Sequence, residues 1–485
     1  MAQRRKFSLR LLLTGILASL ALLFVQSFSS TGADARGQTG KKLAKRSGVA
    51  LDITTVLGGL LDRNAFGADA RDDDDNLPDL AVQQHARRML RDGRHTFRFE
   101  TFGDQEFWGD KLKLHQAIAG AKHGGVGPGL SPAAALGLGL KVDVDSLPES
   151  LRVQLARGNV DLTDPGITLA LLKLNAVVGV TGIFDGSGQI ASMGIQCALC
   201  HSTVDDSFAK GIGRRLDGWA NRDLNVGGII ALAPDLSAPA SLLGVDQATV
   251  RAVLHSWGPG KFDAELFLDG KPFQPNGRSA ATLIPPAFGL AGVNLGTWTG
   301  FGSTTYWNAL VSNLEMHGKG VFYDPRLNDP LQYPVAVKAG LFDTRNDPDL
   351  ITPRLAALHF YQLAIPAPKR RLDDSQTAAA AHGKEIFEGH AGCARCHVPP
   401  LFTEPGYNMH APDEIGIDDF QSSRSPTKMY RTSPLKGLFT HVKGGFYHDG
   451  RFPTLQAVID HYDELFKTGL SQDQKADLIE YLMSL

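Results

Sequence analysis

The sequence has little of what would point to several common kinds of site or location. Only four of its 485 residues are cysteine, and all four fall in two short motifs, so none remains for a structural disulfide. The net charge of −2 gives no electrostatic footprint for nucleic acid or an anionic membrane. Beyond an N-terminal segment, no apolar run is long enough to span a bilayer. With 43% hydrophobic and 21% charged residues, the composition is that of an ordinary globular chain.

Both cysteine motifs have the spacing Cys-x-x-Cys-His. Two thiols at this spacing can form thioether bonds to the two vinyl groups of haem, and the adjacent histidine then becomes the proximal iron ligand. Cys-x-x-Cys alone would also suit a redox dithiol or half of a zinc site, but the following histidine, present twice, favours haem. The sequence therefore predicts two covalently bound c-type haems. The residues that hold them are Cys197, Cys200, His201, Cys393, Cys396 and His397.

The N-terminus has the pattern of a targeting segment. A positive region around Arg4–Lys6 precedes an apolar stretch over 11–25, and small residues follow at 29–35. We interpret 1–35 as a signal peptide; the alternative is an uncleaved anchor. In both cases the remainder of the chain is expected outside the cytoplasm, in the periplasm or otherwise exported from a bacterium. The polar stretch 36–83 is predicted to be a linker or a disordered arm.

Two haem domains are expected after this arm, and the predicted fold is mainly α, with one cytochrome c-type domain around each motif. The first domain covers 84–368 and is enlarged by an insertion, because 202–365 is too long for a three-helix cytochrome. The second covers 373–485. Asp374 or Ser375 is predicted to cap its first helix, and a capping box at Ser471 opens its last helix.

From Tyr430 onward the chain resembles the bacterial di-haem cytochrome c peroxidase and MauG superfamily. The matching stretches are Tyr-Arg-Thr-Ser-Pro-Leu-Lys at 430–436, Gly-Phe-Tyr-His-Asp-Gly at 445–450 and Thr-Leu-Gln-Ala-Val-Ile-Asp-His-Tyr at 454–462. The resemblance implies two helical cytochrome c domains, of which the N-terminal haem reacts with peroxide and the C-terminal haem transfers electrons. It does not cover 36–150.

The resemblance also implies a sixth ligand for the C-terminal haem. The peroxidases have a methionine at the end of the helix after the Tyr-His-Asp-Gly turn, and MauG has a tyrosine; this register holds Tyr462. Helical spacing with Leu455, Ile459 and Phe466 independently predicts that Tyr462 lies on a buried face. A phenolate would lower the reduction potential, whereas methionine would raise it. Tyr462 could also be only a core aromatic residue, and the other candidate ligands are His461, Met409 and Met429.

At the N-terminal haem the family pattern is only partly present. The family's inter-haem tryptophan corresponds to Trp307, although the Asp-Gly-Arg that follows it in the family is missing here. The family's distal carboxylate pattern is also missing, and Glu315 is the nearest candidate catalytic acid or base. His317 and His255 are alternatives, and either could instead bind the iron and close the site. The family's calcium site is expected to be weakened, because its turn lacks proline around 443–445.

Three functions remain open from the sequence. The leading one is peroxide reduction with electron transfer between two haems. The electrons would come from a small periplasmic cytochrome or cupredoxin, or from a protein substrate. The second is a haem dioxygenase similar to the rubber oxygenases, which use oxygen in an apolar pocket; the aromatic cluster over 298–307 could line such a pocket. The third is an electron-transfer cytochrome without enzymatic activity.

Overall fold

The computed structural model of the chain describes residues 77–273 and 279–485. These residues belong to one compact unit. Helices supply most of the regular structure and the strands are short, which confirms the mainly α prediction. The predicted signal peptide and most of the predicted arm lie outside the described residues. The division into two cytochrome c domains stays a prediction.

The helices follow one another through the whole described part of the chain, with two single π-helical turns at Glu106–Lys111 and Val311–Glu315. In chain order the α-helices are α1 Leu77–Phe99, α2 Leu114–Ala119, α3 Pro132–Gly137, α4 Glu149–Ala156, α5 Pro165–Lys173, α6 Ala198–His201, α7 Val226–Ile230, α8 Ser237–Leu243, α9 Gln247–Trp257, α10 Leu266–Asp269, α11 Thr304–Leu310, α12 Pro334–Ala339, α13 Thr352–Ala364, α14 Asp374–Glu388, α15 Leu455–Phe466 and α16 Gln472–Ser484.

The strands form two-stranded sheets only, within the part of the chain described here. The longest pair is the antiparallel hairpin β2–β3, in which Val180 pairs with Ile195, and it leads directly into the first cysteine motif. The strands are β1 Val142–Asp143, β2 Val180–Phe184, β3 Ile190–Ile195, β4 Ser202–Val204, β5 Ile212–Gly213, β6 Arg215–Asp217, β7 Lys261–Phe262, β8 Thr282–Leu283, β9 Val321–Tyr323 and β10 Asp343–Arg345. The other sheets pair β1 with β5, β4 with β6, β7 with β8 and β9 with β10.

The two haem motifs lie next to different hydrophobic cores. Cys200 packs against a large core built from residues between Trp108 and Ile284. Cys393 packs against a smaller core in which α14, α15 and α16 contribute side chains such as Phe387 and Leu478. Each motif is therefore held by the packing of its own set of elements.

The helix ends test two predictions. The Ser471 hydroxyl oxygen accepts a hydrogen bond from the backbone N–H of Gln474, and the Gln474 side-chain oxygen accepts one from the backbone N–H of Ser471, so the predicted capping box at α16 is confirmed. The cap of α14 was predicted one or two residues late, because Asp373 is the capping residue there and forms a complete capping box with Gln376. Helix α1 begins within the segment predicted as an arm.

No helix among the described residues combines the length and the apolar character that crossing a bilayer requires.

The close approach of α14 and α16 depends on Gly383. A Cβ atom at this position would lie 2.0 Å from the backbone oxygen of Asp477. Although alanine has the better helix propensity by about 1 kcal/mol, the overlap should make Gly383→Ala destabilising by about 1–3 kcal/mol. Urea denaturation measures this change. Gly137→Ala is the matched control, since no atom lies within 4 Å of its added Cβ, and equal stability of the two variants would contradict the close packing.

Candidate active site

The first motif places a neutral imidazole in a fixed orientation. The hairpin β2–β3 ends at Ile195, and the short helix α6 then carries Cys200 and His201. The His201 Nδ1 atom lies 3.2 Å from the backbone oxygen of Pro285, so Nδ1 carries the proton and Nε2 keeps its lone pair. Burial lowers the pKa of His201 to about 4, which keeps the ring in the form that binds metals.

The second motif repeats this geometry. The Nδ1 atom of His397 lies 3.2 Å from the backbone oxygen of Phe402. Burial lowers the pKa of His397 to about 4 as well. Both proximal histidines predicted from the sequence therefore have the backbone partner that orients an axial ligand.

Two buried arginines provide a test of whether haem fits these sites. Arg222 is 8% exposed, and all three of its guanidinium nitrogens are buried without a hydrogen-bond partner. Arg431 donates its Nε–H to the backbone oxygen of Thr297, but its Nη1 is unpartnered. Burial lowers the pKa of both groups to about 10. Buried cations of this kind need an anion, and each haem carries two propionate carboxylates, so the residues fit the group.

Two π-helical turns meet beside the first motif. In each turn a backbone N–H bonds to the oxygen five residues back: Leu112 to Phe107, and Met316 to Val311. The turns touch through Trp108, whose Nε1 donates to the backbone oxygen of Met316 at 2.9 Å. Insertions of this type re-aim side chains and recur at functional sites. Here the second turn ends at Glu315.

The Glu315 side chain is buried without a partner. It is 7% exposed, and neither carboxylate oxygen has a hydrogen bond. Burial, followed by the charges of Glu265 and Asp263, raises its pKa well above the usual range, which favours the neutral, protonated form. Its charge also contributes to the raised pKa of the Cys200 thiol, which places the carboxyl group near the first motif. A neutral, buried carboxylic acid in this position can donate a proton.

The two alternative histidines have different surroundings. His317 stacks on Phe107 with ring centroids 3.6 Å apart, and its buried Nε2 has no partner. Burial lowers its pKa to about 3. His255 is exposed at the end of α9, so it is not a buried ligand or proton donor.

Trp307 lies in α11 within a core cluster that also contains Leu314, the neighbour of Glu315. Its ring makes an edge contact with Phe301 at 5.4 Å between centroids, and its buried Nε1 is unpartnered. Nearby, Trp298 donates its Nε1–H to the backbone oxygen of Leu283 at 2.9 Å. Trp307 and Glu315 therefore belong to one continuous helical segment.

Tyr462 lies near the second motif. Burial raises the pKa of its phenol, and the Cys396 and Cys393 sulfurs raise it further, whereas Tyr447 lowers it. The rings of Tyr447 and Tyr462 are 6.3 Å apart. The buried face predicted for α15 is one residue too long, because Phe466 is 56% exposed. It stacks on Tyr462 at 5.6 Å from the solvent side, near the end of the helix.

The other candidate ligands of the second haem are engaged or exposed. The Nε2 atom of His461 lies 2.9 Å from the backbone oxygen of Ile415. Met429 is 39% exposed. Met409 packs its sulfur against Gly300.

The family's calcium site would correspond to residues 443–445. This segment begins with Lys443, whose ammonium group pairs with Asp223. One group of side chains in the described residues has metal-ligand geometry, namely Cys396, Glu404 and His410. Because the sulfur of Cys396 is predicted to form a thioether bond, this group does not predict a further metal site.

A buried acidic cluster next to Glu315 is absent from the sequence prediction. Arg424 is fully buried, and its guanidinium binds Asp269 through Nε at 2.7 Å and Nη2 at 2.8 Å. Its Nη1 lies 2.9 Å from Asp263 and 4.0 Å from Glu265. Because these partners are about 155 residues from Arg424 in sequence, no local pattern could have predicted them.

No family model matches the chain. Among curated proteins, it is 30% identical over 131 residues to the methylamine utilization protein MauG of Methylorubrum extorquens, covering 23% of this chain and 36% of that protein. It is 28% identical over 160 residues to the cytochrome-c peroxidase IdrP1 of a Pseudomonas species, covering 24% of this chain and 41% of that protein. The chain thus spans about two fifths or less of the length of these relatives.

A solved structure of hydrazine synthase from Kuenenia stuttgartiensis, pressurized with xenon, matches 31% of this chain and 60% of that chain. The identity is 22% and the TM-score is 0.20. The similarities to the two curated proteins confirm the predicted resemblance. Over about a quarter of its length, the chain is similar to proteins of the di-haem cytochrome c peroxidase and MauG family.

Proposed function

We propose that the protein is an exported di-haem c-type cytochrome that reduces hydrogen peroxide at its N-terminal haem site. Cys197, Cys200 and His201 would hold one haem, and Cys393, Cys396 and His397 the other. Haem supplies redox-active iron when bound. Both proximal histidines have the required orientation, and Arg222 and Arg431 provide positive charge for haem carboxylates. The names of the two relatives support the reaction class.

The observation that carries the proposal is the buried, unpartnered Glu315 near Cys200. Reduction of peroxide to two waters requires protons at oxygens that leave as water, and a carboxylic acid kept neutral by burial can supply them. The Trp108 ring is buried and bonds to the backbone oxygen of Met316, the residue after Glu315, and the Glu315 side chain itself is only 7% exposed, which favours the neutral carboxyl group. Glu315 is therefore assigned as the catalytic acid.

The C-terminal haem site would handle electrons. Tyr462 is proposed as its sixth ligand because its half-buried side chain lies beside the second motif. An anionic tyrosine ligand stabilises oxidised iron. This favours, as the source of electrons, a protein substrate that is oxidised in the reaction over an ordinary small donor protein. Trp307 is proposed as the aromatic side chain between the two sites.

An apolar cavity supports the dioxygenase as a second candidate function. The cavity has a volume of about 90 Å³ and reaches from Trp108 to Leu199, which lies between the two cysteines of the first motif. Its walls come mainly from α2–α7 and the β2–β3 hairpin, and nearly every lining side chain is apolar. Such a cavity excludes water and suits a small apolar molecule such as dioxygen.

One observation supports the third candidate, a non-enzymatic electron-transfer cytochrome. The Nε2 atom of His317 is buried without a hydrogen-bond partner. If this nitrogen filled the sixth position of the first haem, both irons would be six-coordinate. Spectra of both haems would then be low-spin, and peroxide would not be consumed. A high-spin haem together with peroxide consumption favours the leading proposal instead.

The number of covalently attached haems per chain tests the assignment of the two motifs. Cys197→Ala/Cys200→Ala and Cys393→Ala/Cys396→Ala should each retain one covalent haem per chain, against two in the unchanged protein, because each motif supplies its own thioether bonds. Haem per chain is measured from the pyridine haemochrome spectrum of denatured protein. Two haems in either variant would contradict the assignment of that motif.

Glu315→Gln keeps the side-chain shape but removes the acidic proton. We expect kcat/KM for hydrogen peroxide to fall by about 10²–10⁴-fold, the range for a positioned proton donor. The matched control is Glu100→Gln, since Glu100 pairs with Arg354, is not among the charges that raise the pKa of Glu315, and should leave kcat/KM unchanged. If Glu315→Gln reacts as fast as the control, Glu315 is not the catalytic acid.

Tyr462→Phe tests the proposed ligand. Loss of the phenolate should change the EPR signal of one haem and raise that haem's reduction potential, while the signal of the other haem stays the same. Tyr481→Phe is the control, because Tyr481 is a buried tyrosine of the same C-terminal core. Two unchanged EPR signals in Tyr462→Phe would remove the assignment.

A further inference from the structure

The acidic cluster around Arg424 contains more negative charge than one guanidinium can balance. Asp263, Glu265 and Asp269 are each less than 5% exposed. The segment that carries them packs against the segment of Glu315, since the ring centroids of Phe267 and His317 are 5.1 Å apart. Arg424 makes close contacts with Asp263 and Asp269 only; Glu265 is 4.0 Å away. Since uncompensated buried charges are strongly unfavourable, the cluster must retain protons at neutral pH.

Burial raises the pKa of three carboxyl groups in and beside this cluster, those of Asp263, Glu265 and Glu315. Burial, with the charges of Asp263 and Asp269, raises the pKa of Glu265 to about 7, and the nearby Arg424 limits this rise. The charge of Glu265 is in turn the largest cause, after burial, of the raised pKa of Glu315. The charge of an ionised Glu265 thus favours the protonated form of Glu315, and the Glu265 group gains and loses its proton within the neutral range.

Glu265 also has a connection to a polar cavity. The Gln421 Nε2 atom donates a hydrogen bond to Glu265 Oε2 at 3.0 Å. On its other side Gln421 lines a cavity of about 170 Å³ that is partly open to solvent. The walls of this cavity include Thr282, His448 and Asp449. A polar cavity of this size holds several water molecules.

We propose that Glu265 is a proton-relay residue, which takes protons from water in the polar cavity at Gln421 and passes them to Glu315. The relay rests on the proposed peroxide reduction and deepens it by naming the route of its protons. Glu265 acts through Glu315 and does not itself touch peroxide.

The proton balance requires such a route. Reduction of one hydrogen peroxide to two waters breaks one O–O bond and consumes two electrons and two protons. The two electrons come from a reduced one-electron donor protein or from a protein substrate that is oxidised in the reaction, as proposed above. Glu315 holds only one proton and is buried, so each turnover needs it to be protonated again. Glu265 restores this proton and is itself restored from the cavity.

The surroundings of Glu265 set the pH range in which the relay works. Groups from three parts of the chain surround it: the segment that carries Glu265, the loop that carries Arg424, and the elements packed against both. The charged and titratable groups facing it are Asp263, Asp269, Arg424, Glu315, Tyr333 and Lys271. The combined effect of burial and these groups leaves Glu265 protonated below a pH of about 7 and ionised above it.

The test is the pH dependence of peroxide reduction in the holoprotein carrying Glu265→Gln. The unchanged protein should lose activity as the pH rises through about 7, because Glu265 then has no proton to pass on. In Glu265→Gln we expect kcat to fall about 100-fold, the lower end for a positioned proton donor, and the limb near pH 7 to disappear. Gln421→Leu, which places an apolar side chain between the cavity and Glu265, should also lower kcat.

Two further variants separate a relay from a structural role. Glu265→Asp retains a titrating group and should restore part of kcat together with a pH limb, whereas Glu100→Gln should match the unchanged protein. A Glu265→Gln variant with the rate and pH profile of the unchanged protein overturns the relay and leaves peroxide reduction standing. A slow variant that keeps the limb near pH 7 also overturns it, since only structure was then disturbed. An unchanged protein that does not consume peroxide overturns both proposals.

Discussion

The ion pairs of Arg424 are the interaction on which the candidate active site depends. Its guanidinium is fully buried and binds Asp269 with two hydrogen bonds. It thereby fixes the loop at 421–424 against the segment at 263–269, about 155 residues away in sequence. Removing one partner from such a buried pair leaves an uncompensated charge and typically costs about 3–5 kcal/mol. The positions of Glu265 and Gln421 follow from this attachment, and the charge of Arg424 limits the rise in the pKa of Glu315.

The two haem motifs are alike on the proximal side and different elsewhere. In both, a backbone oxygen 3.2 Å from Nδ1 orients the histidine. The other neighbours of the two motifs differ. A buried carboxyl group and aromatic rings lie near the first motif, and a pair of tyrosines lies near the second. The difference in chemistry that we propose for the two sites therefore comes from residues far from the cysteines in sequence.

Sequence alone was sufficient where chemistry depends on local spacing. The two motifs, the capping box at Ser471 and the placement of Tyr462 on a helix follow from short-range patterns, and Glu315 was selected as the nearest proton-transfer group. Asp373 was missed as a cap because three polar residues in succession fit the same helix start. Arg222, Arg424 and Glu265 could not be predicted, because their roles arise from burial and from partners distant in sequence. Arg431 lies within a stretch that resembles the family, but nothing local distinguishes it from an exposed arginine.

The π-helical turn at Val311–Glu315 has a consequence for how this site can change during evolution. The turn accommodates one residue more than an α-helix would, and its loss by a single-residue deletion would rotate every later side chain by about 100°. The carboxyl group would then leave its position beside the first motif without any substitution of the glutamate itself. Among relatives, the length of the segment before the glutamate, and not only the identity of the residue, would therefore separate chains that place a carboxyl group at this position from chains that do not.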